Sequence, residues 1–316
     1  MTISEQPILL DEQIIMMKKY VSFTQRKKMK KFLEYAGYFR ASRYGKFLLS
    51  RAGIIDNKLK QDKLFALYNF DMNLRRLLIL YCNKVEIGLK SAISNTGAIY
   101  KNDATFYLAK NNYSPSKGER DAKKRKDNIK YFARYIRDLN EKEKKIRGDV
   151  MRYPELKEYR PGGSKVNSRL PVWATFNYIE FGTVTMMYNY LRGDIRKKIL
   201  QNYFHKIKCS KSDTELVDTW LDGIRNLRNY CAHNSMLIGM TSSIVSRDAK
   251  DSPDVLPSNT NLYSRIYALK KLLSKDDANN LKKEIAKLIT HTSVDIYSLK
   301  ILPKDWMELF DQICDF

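Results

Sequence analysis

Apolar positions along this chain recur at the helical period of 3.6 residues and almost never alternate with a period of two, so the pattern predicts an all-α protein. Eight prolines and thirteen glycines in 316 residues leave room for long uninterrupted helices. Between Asp11 and Arg51 the spacing predicts two or three short helices, with Phe32, Leu33, Tyr35, Tyr38 and Phe39 packed around Gly37. From about Leu64 to Ile99, Leu and Ile occupy more than one face, as in a buried central helix or a kinked pair. A polar loop around Pro115 and Gly118 then precedes a basic amphipathic helix with a thin apolar seam of Tyr131, Phe132, Tyr135 and Ile136. After a turn at Pro161-Gly162-Gly163, Pro171-Val172-Trp173 reads as a helix start with proline in the first turn, and the helix continues through Leu191.

The next helix is predicted from Ser212 to about Leu237, its start marked by a capping box of Ser212 with Glu215. At 100° per residue, Val217, Trp220, Leu221, Ile224, Leu227 and Cys231 make one apolar stripe. Asn226, Asn229 and His233 fall opposite it, and Arg228 falls near its border. Length allows one large or two moderate domains. The pattern divides the chain into an N-terminal helical region (1–60), a helical core (61–240) that includes a basic arm (110–150), and a C-terminal helical region (241–316).

Charge narrows the partners. Lys and Arg number 58 against 35 Asp and Glu, a net of +23, which is hard to reconcile with a purely structural or small-metabolite role. Nucleic acid is the leading partner class and an anionic membrane surface the second. No run approaches the ~18–20 apolar residues of a membrane span, the strongest being Leu77 to Cys82 before Asn83 and Lys84 interrupt it. The first twenty residues carry Glu5, Asp11 and Glu12 ahead of an apolar patch, the wrong order for a signal peptide, so a cytoplasmic protein is expected. Cys82, Cys209, Cys231 and Cys314 lie far apart with no CxxC pair; reduced, mostly buried thiols are expected, with no metal site and no cofactor.

The candidate chemistry sits in Arg228-Asn229-Tyr230-Cys231-Ala232-His233. Only three histidines occur, His205, His233 and His291, so few positions can carry imidazole chemistry near neutral pH. An arginine that clamps phosphate, a histidine that moves protons and a carboxamide that orients either one, Asn229, suffice to cut RNA without a metal. His233 would take the proton of a ribose 2′-hydroxyl, leaving 2′,3′-cyclic phosphate ends and excluding DNA. Five positions apart, with four residues between them, Arg228 and His233 point about 140° apart on one helix. The arrangement therefore argues for a composite site in a homodimer, where a second copy supplies the second histidine.

Between Lys110 and Arg147, 14 Lys or Arg face 6 Asp or Glu, a net of +8. The plainer reading is a solvated helix laced with i,i+4 pairs. The functional reading is a phosphate-tracking arm of Lys123, Lys124, Arg125, Lys126, Lys130, Arg134 and Arg137, with Arg40, Arg43 and the Lys18–Lys31 cluster as further contacts to RNA. Glu86 also has two readings. With Lys90 it makes an ordinary i,i+4 helix pair, whereas buried among its apolar neighbours it would support the site by holding Arg228 in aim. Asp71 with Arg75 shows the same i,i+4 pattern and reads as structural, and His205 and His291 lack a matching arginine.

Five ordered blocks carry a family resemblance. They are Leu33-x3-Gly37-Tyr38-Phe39-Arg40-x3-Tyr44; Phe70-Asp71 with Leu74-Arg75 and Val85-Glu86-Ile87-x-Leu89-Lys90; Pro171-x-Trp173 leading to Phe181-Gly182; Arg228-Asn229-x-Cys231-Ala232-His233-Asn234; and Leu302-Pro303-x-Asp305-Trp306. Through them most of the chain resembles the Abi-like family of bacterial phage-defence proteins, of AbiD and AbiF types, whose core belongs to the HEPN ribonuclease superfamily. The resemblance implies a HEPN-type helical bundle with additional N- and C-terminal helices. It also implies abortive infection by toxic RNA cleavage, with Arg228 and His233 as the motif pair and Asn229 beside them. The AbiF type, in which a small structured RNA binds and restrains the protein, fits best. Where the family often has arginine in the central helix this chain has Lys90, which lacks the bidentate fork. Two other readings stand beside the toxin: a catalytically weak HEPN module that binds a structured RNA as sensor or scaffold, and the toxin of a HEPN and nucleotidyltransferase pair. A protein partner of the latter kind would not need so basic a toxin.

Overall fold

The computed structural model describes residues 7–51, 60–116, 119–149, 151–247 and 251–316. Glu5, Gly118 and Val150 lie outside the described residues. Among those described there are thirteen α-helices and no strands. In chain order they are α1 (Leu10–Met17), α2 (Arg26–Ala36), α3 (Tyr38–Arg51), α4 (Gln61–Ala92), α5 (Ala98–Lys101), α6 (Ala122–Gly148), α7 (Val172–Thr175), α8 (Phe181–Tyr190), α9 (Gly193–Tyr203), α10 (Lys211–Ala232), α11 (Leu262–Leu272), α12 (Lys275–Thr290) and α13 (Trp306–Gln312). The fold is all-α, as the periodicity predicts. None of the helices is long and apolar enough to cross a membrane.

The chain forms two compact units, one of residues up to Tyr81 with Asn226–Asp315, the other of Cys82–Arg225 with Phe316. In the first, Gly37 separates α2 from α3 at a φ of 76° that favours glycine. Ile14, Met17, Met29 and Leu33 turn inward from α1 and α2. Rings then join α2 and α3 to α4: Phe32 lies 4.7 Å from Phe65, and Tyr44 lies 5.2 Å from Tyr68. Two of the aromatics expected around Gly37 do not pack there, since Tyr35 and Phe39 stand 73% and 68% exposed. Leu33 is buried as expected, and Phe39 stands on the outer face of α3. The C-terminal part of this unit closes on a buried ion pair, Lys271 to Asp251 at 2.8 Å, in which Asp251 also accepts the Tyr267 hydroxyl and the Cys314 N–H.

In the second unit, α4 passes through a π turn, Ile93–Gly97, into α5, so the predicted central element is helical to its end with one widened turn. Gly97 closes that turn, and the buried Phe106 ring packs against it so closely that a Cβ there would run into the ring. Gly97→Ala is expected to lose about 1–3 kcal/mol through this overpacking, measured as a lower midpoint in urea; an unchanged midpoint would mean that the ring moves aside freely. Pro171 is an N-cap rather than a first-turn residue, and the predicted helix through Leu191 breaks into α7 and α8. The break turns both Phe176 and Ile179 inward. Helix α6 buries Phe132, Tyr135, Ile136, Leu139, Glu143 and Ile146, so its seam begins one residue later than expected, with Tyr131 exposed. Buried Glu143 is matched by Arg169 at 2.8 Å and by the Leu170 N–H. Phe316 packs edge-on against Trp220 of α10, 4.8 Å between centroids.

Candidate functional site

Helix α10 begins two residues earlier than its predicted capping box. Ser210 and Asp213 cap each other reciprocally, the Asp213 N–H donating to the Ser210 hydroxyl at 3.1 Å and the Ser210 N–H to the Asp213 carboxylate at 2.7 Å. The apolar stripe is buried at every predicted position, Val217, Trp220, Leu221, Ile224, Leu227 and Cys231. Burial pushes the Cys231 thiol up to about 12, so it packs as a thiol and offers no nucleophile.

The helix stops at Ala232, five residues short of the predicted end. The reason is local. Asn234 takes a left-handed φ of 52°, and two bonds of the Schellman kind close the end: the Ser235 N–H reaches the Tyr230 carbonyl at 2.8 Å and the Asn234 N–H reaches the Cys231 carbonyl at 3.2 Å. Asparagine is the ordinary side chain that adopts this conformation at low cost. His233 is therefore the capping residue of α10, exposed at its last turn, its N–H still bonded to the Asn229 carbonyl at 3.0 Å. Asn229 is exposed too, while Arg228 is half-buried, with an Nε that has no hydrogen-bond partner. Arg228 and His233 thus face different surroundings, as their angular separation predicts.

A single carboxylate fixes the turn after His233. Asp71 on α4 is fully buried; its Oδ1 accepts the N–H groups of Leu237 at 2.9 Å and Ile238 at 3.0 Å, and its Oδ2 accepts the Tyr44 hydroxyl at 2.5 Å. Arg75, one turn along α4, pairs with the same Oδ2 and reaches the Tyr44 oxygen at 3.1 Å and the Ser235 carbonyl at 3.4 Å. Burial raises the Tyr44 phenol to about 12, which keeps it a donor at neutral pH. A further contact comes from Gly239, φ 70°, where a Cβ would lie 2.7 Å from the Phe47 ring of α3. The turn is consequently clamped from α3 and α4. The structural reading of Asp71 and Arg75 holds. Its consequence, that two separate motif blocks converge on the segment carrying His233, is not readable from either one of them.

The clamp leaves a cleft of about 210 Å³. One wall is Phe39, Arg40, Arg43 and Tyr44 of α3; the other is His233 and the turn from Asn234 to Met236. Arg40 and Arg43 are exposed, and neither has an ion-pair partner among the described residues. The other histidines have different settings. His205 is exposed in a left-handed turn, and His291 is tied through Nδ1 to the Lys287 carbonyl at 2.7 Å beside Glu284.

Glu86, expected to aim Arg228, has Lys90 as its ion-pair partner at 2.7 Å, so the ordinary helix pair accounts for its charge. On α6, Lys123, Lys124, Arg125, Lys126, Lys130, Arg134 and Arg137 are all exposed. Arg137 pairs with Asp138 at 3.3 Å and Arg125 bonds the Glu119 carbonyl; the other five have no ion-pair partner among the described residues. From Ala122 to Tyr131 no side chain of this helix is buried, so its first half presents cations around its circumference. Cys82, Cys209 and Cys231 are buried thiols and Cys314 is an exposed one, none of them in a disulfide among the described residues.

An all-α chain whose Arg-x4-His segment ends a helix at a basic cleft defines a class of helical protein, and comparison narrows the class. Residues 31–239, well over half of the chain, match the family model described as Abi-like protein, and the chain belongs to the Abi-like family. That membership points to abortive infection, a defence against phage. No curated protein and no solved structure matches the chain.

Proposed function

We propose that this protein is the RNA-binding effector of a phage defence of the AbiF type: a HEPN endoribonuclease, dimeric in the cytoplasm, that cuts RNA without a metal and is restrained by a cognate small structured RNA. The observation that carries this reading is the exposed imidazole of His233 at an arginine-walled cleft, on a chain of net charge +23. His233 takes the 2′-hydroxyl proton of a bound ribose. The 2′-oxygen then forms its bond to phosphorus as the bond from phosphorus to the 5′-oxygen breaks, and the imidazole of a second copy protonates that 5′-oxygen. Arg228 and Asn229 stand one turn or so before the histidine and complete the motif. The exposed cations of α6 supply sequence-independent attraction to the phosphate backbone of the restraining and the target RNA.

A second reading, an RNA-binding module of weak catalytic power, draws on the half-burial of Arg228, whose Nε faces no partner and no solvent. The products decide between the two. Cleavage by the proposed route leaves 2′,3′-cyclic phosphate and 5′-hydroxyl ends, proceeds in excess chelator and leaves DNA intact; 3′-hydroxyl ends, or loss of cleavage on chelation, would overturn the mechanism. The restraining partner is tested by purification at low salt. A discrete small RNA should accompany the protein and raise its 260/280 nm absorbance ratio, and a clean protein spectrum would rule out the ribonucleoprotein.

A further inference from the structure

The motif assigns phosphate binding to Arg228, yet this side chain is half-buried, and two other arginines stand at the histidine's cleft. Resting on the endoribonuclease reading, we propose that each chain holds a complete nucleotide subsite, in which Arg40 and Arg43 grip the phosphate on which His233 acts and Phe39 stacks the base of the adjoining unpaired nucleotide.

Charge supplies the first argument. Arg40 and Arg43 are i,i+3 neighbours on α3, a spacing at which like charges repel. Neither has a carboxylate partner among the described residues, and no acidic side chain lines the cleft. Asp71 sits behind the cleft wall, but it is buried and already paired with Arg75. The cleft is therefore positive and unneutralised, with two guanidinium forks suited to phosphate oxygens.

Shape and rigidity supply the second. The Tyr44 hydroxyl links α3 to Asp71, and the same carboxylate holds the backbone at Leu237 and Ile238, so the arginine wall and the histidine wall are tied to one hub. A phosphate entering the cleft meets two walls whose backbones are already held in register, which shortens the reach of the side chains they carry. Phe39 is the third element. A phenylalanine 68% exposed beside two arginines that have no ion-pair partner among the described residues is poorly explained by packing and well explained as a stacking platform for a base. A base stacked there must be free of its duplex, so the substrate class is single-stranded RNA or a loop. Dimerisation then has to add only the second proton-transfer group.

The full-length protein, stripped of nucleic acid at high salt, tests this with a labelled ten-nucleotide 2′-O-methyl RNA of mixed sequence that cannot be cut. In a His233→Ala background, Arg40→Ala/Arg43→Ala is expected to weaken binding by roughly 10- to 100-fold, the loss of charge-assisted hydrogen bonds, and to flatten the salt dependence by about 1.4 log units per log unit of salt, two phosphate contacts fewer. Phe39→Ala should weaken binding roughly tenfold with the salt dependence unchanged, and Phe39→Trp should restore it. Lys275→Ala/Lys283→Ala removes the same charge from α12, where both lysines are exposed, and should leave binding within about twofold if position rather than net charge matters. Inorganic phosphate should shift the His233 imidazole proton signal, identified by its absence from His233→Ala, in the wild type and not in the double arginine variant. If His233→Ala abolishes cutting while Arg40→Ala/Arg43→Ala binds and cuts like wild type, the subsite is overturned and the ribonuclease stands. If His233→Ala cuts like wild type, the ribonuclease reading fails and the subsite with it.

Discussion

Expressed alone, the wild-type chain is expected to arrest the growth of its host cell, and His233→Ala to restore growth while leaving RNA binding intact. The size of the effect comes from the role. A positioned general base or acid contributes roughly 10²- to 10⁴-fold to rate, so the variant should cut RNA at least a hundredfold more slowly in vitro. The substitution costs little else, because His233 is exposed and its place at the end of α10 is held by backbone bonds of Asn234 and Ser235. Its thermal midpoint should therefore match that of wild type, which separates lost chemistry from lost fold. Arg228→Ala should relieve the arrest as well, though here a half-buried guanidinium is removed and part of the effect should appear as stability. If both alanine variants stay as toxic as wild type, the arrest does not come from this motif and the ribonuclease reading is wrong.

The helical period alone dictates the fold class, the long apolar central helix and the buried stripe of α10, because each depends on which face of a helix is apolar. The same wheel puts His233 on the outer side and Arg228 at the border, and both positions agree with the observed exposure. Where the pattern misleads, a local bond outweighs it. Apolar residues such as Leu237 extend the predicted α10, yet the left-handed Asn234 ends it, and Leu237 is buried by a loop instead. Apolarity alone assigns Tyr35 and Phe39 to the core, although a short helix has one inner face and they lie off it. Arg40 and Arg43 are legible as cations but not as neighbours of His233. Nearly two hundred residues separate them in sequence, and it is the tertiary contacts of Asp71 and Arg75, an ordinary i,i+4 pair in the sequence, together with Gly239 against Phe47, that bring α3 to the end of α10.

That hub carries the other large expected effect, since Asp71→Ala removes the acceptor of four groups at once. Arg75, its side chain 4% exposed, would be left as a buried charge without its partner, a change that costs about 3–5 kcal/mol. The Leu237 and Ile238 N–H groups and the Tyr44 hydroxyl lose their acceptor too. Because a domain's whole stability is about 5–15 kcal/mol, Asp71→Ala should either fail to accumulate or unfold at a far lower urea concentration. Two milder variants keep the hub testable when it does. Tyr44→Phe removes one donor and should lose about 1 kcal/mol, with faster amide exchange at Leu237 and Ile238 as the clamp loosens. Asp71→Ala/Arg75→Met removes the orphaned charge and should recover part of the stability, but not the exchange protection of those two amides, whose acceptor is still missing. Full protection in the double variant would mean that packing of Gly239 on Phe47 holds the turn unaided, and that Asp71 stabilises the unit without positioning His233.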